Sequence, residues 1–182
     1  RALRSPYPHA KILNIDITEA EKVPGIKCVL TGKNVKQGKW GPIVKDEYLL
    51  AVDKVNFTGD EVAAVAGINM EACEEALSKI KVEYEPLPAV LSMHDAMKEG
   101  APLIHSEFPQ NRQLHMEIPR GDIDAVLKNA YYVHEGEYET SLEYQAYLEP
   151  MGGVSTWDQK GNLKIYAGIQ TPTWSRIDYA SG

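Results

Sequence analysis

Apolar and polar side chains alternate over residues 11–17, with Leu13, Ile15 and Ile17 on one side and Asn14 and Asp16 on the other, which predicts a half-buried strand. The turn Val23-Pro24-Gly25 leads into a second alternating run in which Ile26, Cys28 and Leu30 share a face until Thr31-Gly32 ends it. Residues 33–52 lose the pattern: Gly38, Gly41 and Pro42 punctuate a stretch around Trp40 that reads as a loop. Within residues 56–68, Val62, Ala63, Ala64, Val65 and Ala66 form an unbroken apolar run after Gly59-Asp60, short enough for a strand buried on both faces. A helix is predicted next. Asn69 can cap it, Glu71, Glu74 and Glu75 favour its positive end, and Met70, Cys73, Leu77 and Ile80 recur at near-helical spacing. Ile80, Val82 and Tyr84 then alternate with Lys81, Glu83 and Glu85 until Pro86 and Pro88 remove backbone donors, which completes a strand–helix–strand unit.

Residues 92–98 read as a short helix, and residues 101–119 carry Pro102, Pro109 and Pro119 among polar residues, the composition of a connection between folding units. A boundary is expected near residue 110. Beyond it Asp122 can cap a helix over 123–130, and residues 131–140, rich in Tyr and Val, should be extended. Residues 154–157 and 163–169, joined by a five-residue loop with Gly161, read as a hairpin, so the second unit is expected to be mostly β. The sequence opens at Arg1 without Met and closes on Ala180-Ser181-Gly182 with no finishing element, the look of a piece of something longer.

Composition narrows the function. At 182 residues, 43% apolar and 25% charged, the chain can build a core and holds one or two domains. Its 19 basic residues against 26 acidic ones leave a net charge of −7, which argues against nucleic acid as a partner. No apolar run reaches the ~18 residues of a membrane span and the N-terminus lacks a signal-peptide layout, so a soluble cytoplasmic protein is expected. Cys28 and Cys73 lie far apart without a CxxC and are read as buried thiols.

Residue types alone offer little chemistry. His9, His94, His105, His115 and His134 show no HxxxH or HExxH spacing, so no metal held by side chains is expected. GxSxG, GxxxxGK and GxGxxG are absent. Gly152-Gly153 and Gly59-Asp60-Glu61 read first as bulges or tight turns, and Glu71, Glu74 and Glu75 as solvated charges on a helix. Glu139, Glu143 and Glu149 border or sit in the irregular stretch 142–150, where sites often lie, although structural hydrogen bonding is the default there. The residues by themselves describe an α+β chain and no more.

Longer motifs add to this. Arg4-Ser5-Pro6-Tyr7-Pro8-His9-Ala10-Lys11-Ile12 resembles the RSPxxHAxI opening of the α/β hammerhead domain in the xanthine dehydrogenase and aldehyde oxidase family of molybdenum hydroxylases. Val23-Pro24-Gly25, Gly59-Asp60-Glu61-Val62-Ala63-Ala64-Val65 and the run Ile80-Lys81-Val82-Glu83-Tyr84-Glu85-Pro86-Leu87-Pro88-Ala89, similar to the family's IxVEYExLPAV, follow in the same order. Gly121-Asp122-Ile123-Asp124-Ala125 resembles the GDxxxA segment that opens the molybdopterin-binding region. Leu148-Glu149-Pro150 and Ile169-Gln170-Thr171-Pro172 are similar to its LEP and TQxP elements. The likeness covers nearly the whole chain. It departs from the family at Glu143-Tyr144-Gln145, where many relatives carry Gln and His, and at Ile169, where Thr or Ser is common.

The resemblance implies an α+β fold: a hammerhead domain over 1–110, a linker over 111–120, and over 121–182 the first, mostly β part of a molybdopterin-binding domain. It implies a molybdopterin-type molybdenum cofactor, plain or as the cytosine dinucleotide. The metal would be held by the pterin dithiolene with oxo, sulfido and hydroxyl ligands, and no protein ligand. Gln170 matches the glutamine whose amide hydrogen-bonds the oxo oxygen, and is the one cofactor-binding residue implied. The family's FGG loop and catalytic glutamate match nothing in this chain, so no catalytic residue is assigned and the chain alone should be inactive. Implied partners are the remainder of the molybdenum subunit or a second polypeptide, iron–sulfur ([2Fe-2S]) and flavin (FAD) subunits or domains, and a small substrate: a purine, another N-heterocycle or an aldehyde, with carbon monoxide as a weaker rival. A non-catalytic hammerhead module for subunit assembly is the alternative.

Overall fold

The uncharged run after Glu61 becomes the centre of the first folding unit. The computed structural model describes residues 1–41 and 43–181. Its strands are β1 (Ala2–Arg4), β2 (Ala10–Asp16), β3 (Ile26–Thr31), β4 (Lys54–Val55), β5 (Glu61–Gly67), β6 (Lys81–Pro86), β7 (Gly153–Trp157) and β8 (Leu163–Ala167). The helices are α1 (Thr18–Glu21), α2 (Met70–Lys79), α3 (Met93–Ala96), α4 (Ile123–Asn129) and α5 (Pro172–Ser181). The strands form antiparallel sheets in the orders β1-β5-β3, β4-β2-β6 and β7-β8. Two compact units result, one from Arg1–Leu114 with the chain from Arg176 onward, the other His115–Ser175.

In the first unit β5 feeds two cores because successive side chains point to opposite faces. Ala63 and Val65 join Ala20, Val23, Val29, Cys73, Ala76 and Ile80 in one core, while Val62 joins Ala10, Ile12, Ala51 and Val55 in the other. Val62 is fully buried, worth about 1.5–3 kcal/mol against leaving it in water. Helix α2 starts where Asn69 caps it, its side-chain oxygen accepting from Ala72 N at 2.9 Å, and turns Cys73 and Ala76 onto the sheet. Strands β5 and β6 flank α2 in sequence but lie in different sheets, so the strand–helix–strand unit bridges the two layers.

Two bulges revise the predicted faces. The β2–β6 register shifts between Ile12 and Asn14, so Ile12 is buried and Leu13, expected inward, is 56% exposed. Between Ile26 and Cys28 the β3–β5 register also shifts, which puts Val29 and Thr31 inside and leaves Cys28 exposed, against the expected buried thiol. Cys73 is buried as expected.

Among the described residues, 33–41 and 43–53 form no regular element beyond a bridge in which Trp40 and Glu47 exchange N–H···O bonds of 2.8 and 3.1 Å. The loop is tied down by Gln37, whose amide donates to the Gly32 and Leu50 carbonyls and accepts from Leu50 N. Gly32 is required: a Cβ there would lie 2.3 Å from the Ala51 carbonyl oxygen. Residues 96–111 are gathered by Asn111, whose side chain accepts from Ile104 N and donates to the Ala96 and Pro102 carbonyls.

The second unit holds α4, capped by Asp122 Oδ1 accepting from Ala125 N at 2.9 Å, and the β7–β8 hairpin. The Asp158 carboxylate closes the hairpin loop. It accepts from the Asn162 side-chain amide and from the Lys160 and Asn162 backbone N–H groups, which hold its pKa below the ordinary carboxylate value. Residues 131–140, expected to be extended, form no strand: among the described residues nothing pairs with them, and a lone strand leaves its backbone groups unpaired. Helix α5 has no counterpart among the predicted elements; Pro172 occupies its first position, where a missing N–H costs nothing.

Candidate functional site

Both strands of the second unit lead to one end of the hairpin. There Gly153 opens β7 opposite Ala167 at the close of β8, with Gly152 before the one and Gly168 after the other. The Leu148-Glu149-Pro150 turn is folded onto this end: a Cβ added to Gly168 would lie 2.7 Å from Glu149 Oε1. At Gly153 a Cβ would sit 3.1 Å from the Tyr166 carbonyl oxygen. Glycine at both places lets the backbone and the Glu149 carboxylate approach closely. The result is a shallow cleft of about 390 Å³ lined by Glu149, Gly152, Gly153, Tyr166, Ala167 and Gly168 together with Val154.

Gln170 lies two residues past Gly168, in the bend between β8 and α5, with its side chain exposed and no hydrogen bond to it from the described residues. It is outside the lining of the cleft itself. Two stretches singled out in the sequence, Leu148–Pro150 and 169–172, are thus brought to the same end of one hairpin. The other acidic candidates are not: Glu143 accepts from Ser141 Oγ at 2.6 Å within its own loop, and Glu139 is an exposed loop residue. Tyr144 and Tyr147, beside them, pack as tilted rings 5.8 Å apart. Gly168, where Glu149 approaches most closely, is a position that sequence reasoning passes over. Its only signal is a glycine directly before the Ile169-Gln170 pair.

Three of the five histidines have polar neighbours within the chain. His9 is buried with Nδ1 2.8 Å from the Pro88 carbonyl, His115 meets Glu117 Oε1 at 2.9 Å, and His134 lies 3.4 Å from Tyr138 Oη. Among the described residues no group of three or more His, Cys, Asp or Glu side chains could hold a metal ion. A metal at this end of the hairpin would therefore bring most of its own ligands, and the chain offers it a neutral amide at Gln170, a close backbone and the single carboxylate of Glu149. That donor set fits a cofactor-borne metal.

Residues 1–88 match the family described as aldehyde oxidase and xanthine dehydrogenase, a/b hammerhead domain, and residues 104–182 match the molybdopterin cofactor-binding domain. The chain belongs to the aldehyde oxidase and xanthine dehydrogenase family. Within it, the chain is 36% identical over 182 residues to the nicotinate dehydrogenase large molybdopterin subunit of Eubacterium barkeri, covering 97% of this chain and 41% of that one. It is 33% identical over 171 residues to the xanthine dehydrogenase/oxidase of Mus musculus, covering 93% of this chain and 12% of the other. Among solved structures, a Cu,Mo-CO dehydrogenase chain superposes with a TM-score of 0.86 at 26% identity, covering 99% of this chain and 25% of that one. The chain thus spans less than half the length of each of these relatives. No helix among the described residues is long and apolar enough to cross a membrane.

Proposed function

We propose that this chain is part of the molybdenum-containing subunit of a hydroxylase that acts on an electron-poor carbon of an N-heterocycle, with water as the oxygen source. Two relatives are named for nicotinate and xanthine, both nitrogen heterocycles, and this supports that class ahead of the aldehyde and carbon monoxide readings. When bound, the molybdopterin cofactor supplies the two-electron oxidation of the substrate carbon. The chain's own part is to position. Gln170 would donate its side-chain N–H to a cofactor oxygen, a task for a neutral donor that stays uncharged across the working pH range. Gly152 and Gly153 add no side chain to the hairpin end, where the Glu149 carboxylate already folds onto Gly168, so the cofactor could approach the main chain at these two glycines as a bulkier lining would forbid.

The wider reading follows the same family. Residues 1–110 are the hammerhead domain, 111–120 the linker, and 121–182 the opening of the molybdopterin-binding domain. Electrons pass to [2Fe-2S] and FAD centres on other subunits or domains, the general base comes from outside this chain, the pterin is in plain or cytosine dinucleotide form, and the enzyme works in the cytoplasm. The observation that carries the proposal is the unpartnered Gln170 amide beside the Glu149–Gly168 cleft. Elemental analysis of the complete complex tests it: about one molybdenum per copy of this chain is expected. A fully assembled complex without molybdenum would overturn it in favour of an assembly module.

A further inference from the structure

The sheet β4-β2-β6 ends on β6, and among the described residues nothing pairs with the outer edge of that strand. On the inner side Leu87 N donates to the His9 carbonyl of the β2 segment at 2.9 Å. Main-chain groups alternate in direction along a strand, so Glu85, Glu83 and Lys81 also turn theirs toward β2, while Tyr84 and Val82 hold theirs out to the open edge. The side chains alternate between the faces: Lys81, Glu83 and Glu85 are exposed, and Val82 and Tyr84 are half-buried against the core. An open edge of this length is a template for another strand.

The edge is matched to itself. Two copies related by a twofold axis pair antiparallel, and the outward-turned residues must lie opposite one another for their N–H and C=O groups to meet. Centring the pair on Lys81, Glu83 or Glu85 sets that residue against its own copy, and centring it on Tyr84 sets Glu83 against Glu85, so each of these registers opposes like charges. Centred on Val82, the same strand places Lys81 of each copy opposite Glu83 of the other, Ile80 opposite Tyr84, and Val82 opposite Val82. Neither Lys81 nor Glu83 is held in a salt bridge or side-chain hydrogen bond among the described residues. Glu85 is already held by Lys11 at 2.9 Å, and Asp16, which faces Lys81 across β2, accepts from Thr18 N instead.

We propose that the outer edge of β6 pairs with the same edge of a second copy of this chain, antiparallel and centred on Val82, so that the two three-stranded sheets continue into one another across a twofold axis. The outward main-chain groups of Val82 and Tyr84 then find partners, and the half-buried apolar face runs on from one copy to the next. Charged side chains ordinarily protect an edge from such pairing; here their order of sign selects one register.

Charge exchange in the complete complex tests this. Sedimentation equilibrium over a dilution series gives the constant for association into particles with two copies of this chain. Lys81→Glu and Glu83→Lys each turn both attractions into repulsions and should each weaken association about tenfold, whereas Lys81→Glu combined with Glu83→Lys restores both pairs and should return within about threefold of wild type. Both side chains are exposed, so neither change disturbs the core. Carbodiimide coupling of the wild-type complex, assembled from a mixture of chains with ordinary and heavy nitrogen, should join Lys81 to Glu83 across chains of different label, a readout that does not depend on the variants. A complex with a single copy of this chain, an association constant that neither single change moves, or a combined variant as weak as the single ones would overturn the proposal. Slow exchange of the Val82 and Tyr84 amides in a single-copy complex would assign the edge to another segment of the subunit instead. Molybdenum content does not enter these measurements, so their outcome is separate from that of the hydroxylase reading.

Discussion

At position 170 the decisive property is a side-chain amide that the fold leaves free to donate. In the complete enzyme, Gln170→Ala should lower turnover by the equivalent of about 1–3 kcal/mol while circular dichroism and melting stay unchanged, since the residue is exposed. Unaltered kinetics would remove Gln170 from the cofactor site. Asp60 is the opposite kind of residue, buried and held for the fold. Its Oδ2 accepts from Asn56 N at 3.0 Å, yet burial outweighs that bond and raises its pKa above the ordinary 3.8. A carboxyl whose folded-state pKa is raised binds more protons folded than unfolded, so its contribution falls as pH climbs from 3.8 through the raised value. Asp60→Asn keeps an oxygen for Asn56 N and abolishes the titration. The stability of wild type relative to this variant should therefore decline with rising pH in that window; urea melts at several pH values give the slope, and a flat difference would refute it.

At the scale of elements, how much is legible in the sequence depends on how local the cause is. Helix α2 is legible because its cap, its charges and its apolar spacing all lie within a dozen residues, and Asn69→Ala is expected to cost about 1 kcal/mol, measurable as a lower urea midpoint. The hairpin is legible for the same reason, since Asp158 and Gly161 settle its loop. The faces of β2 and β3 are not, because a bulge is decided by the partner strand and one extra residue turns Leu13 or Cys28 outward. Nor is the unpaired state of 131–140, because β-prone residues such as Tyr131, Tyr132 and Val133 mark a willingness to pair and say nothing about where the neighbour is. The candidate site is half legible. Gln170 comes from resemblance alone and Glu149 also from the irregular stretch it sits in, while the approach of Glu149 to Gly168 exists only once separate segments have met.

The whole molecule divides by burial. Among the described residues, all fifteen apolar side chains of the core lie between Ala10 and Ile80, whereas the hairpin exposes Val154 and Trp157 at 69% each and Tyr166 at 66%. A two-stranded ribbon without a layer packed on either face is marginal in water, since a sheet gains its stability by burying at least one side. Hydrogen exchange should report this directly. In the isolated chain, the amides of β5 and α2 are expected to be protected, because opening them requires dismantling both cores, and those of β7 and β8 to exchange almost as fast as unfolded peptide. In the complete enzyme the same hairpin should become protected, since Trp157, Leu163 and Ile165 on one face and Val154 and Tyr166 on the other present apolar surface for further parts of the subunit to cover. Slow exchange of the hairpin in the isolated chain would show that its five-pair ladder is self-sufficient. The Glu149–Gly168 cleft would then be preformed, and Gln170 would be positioned before the rest of the enzyme arrives.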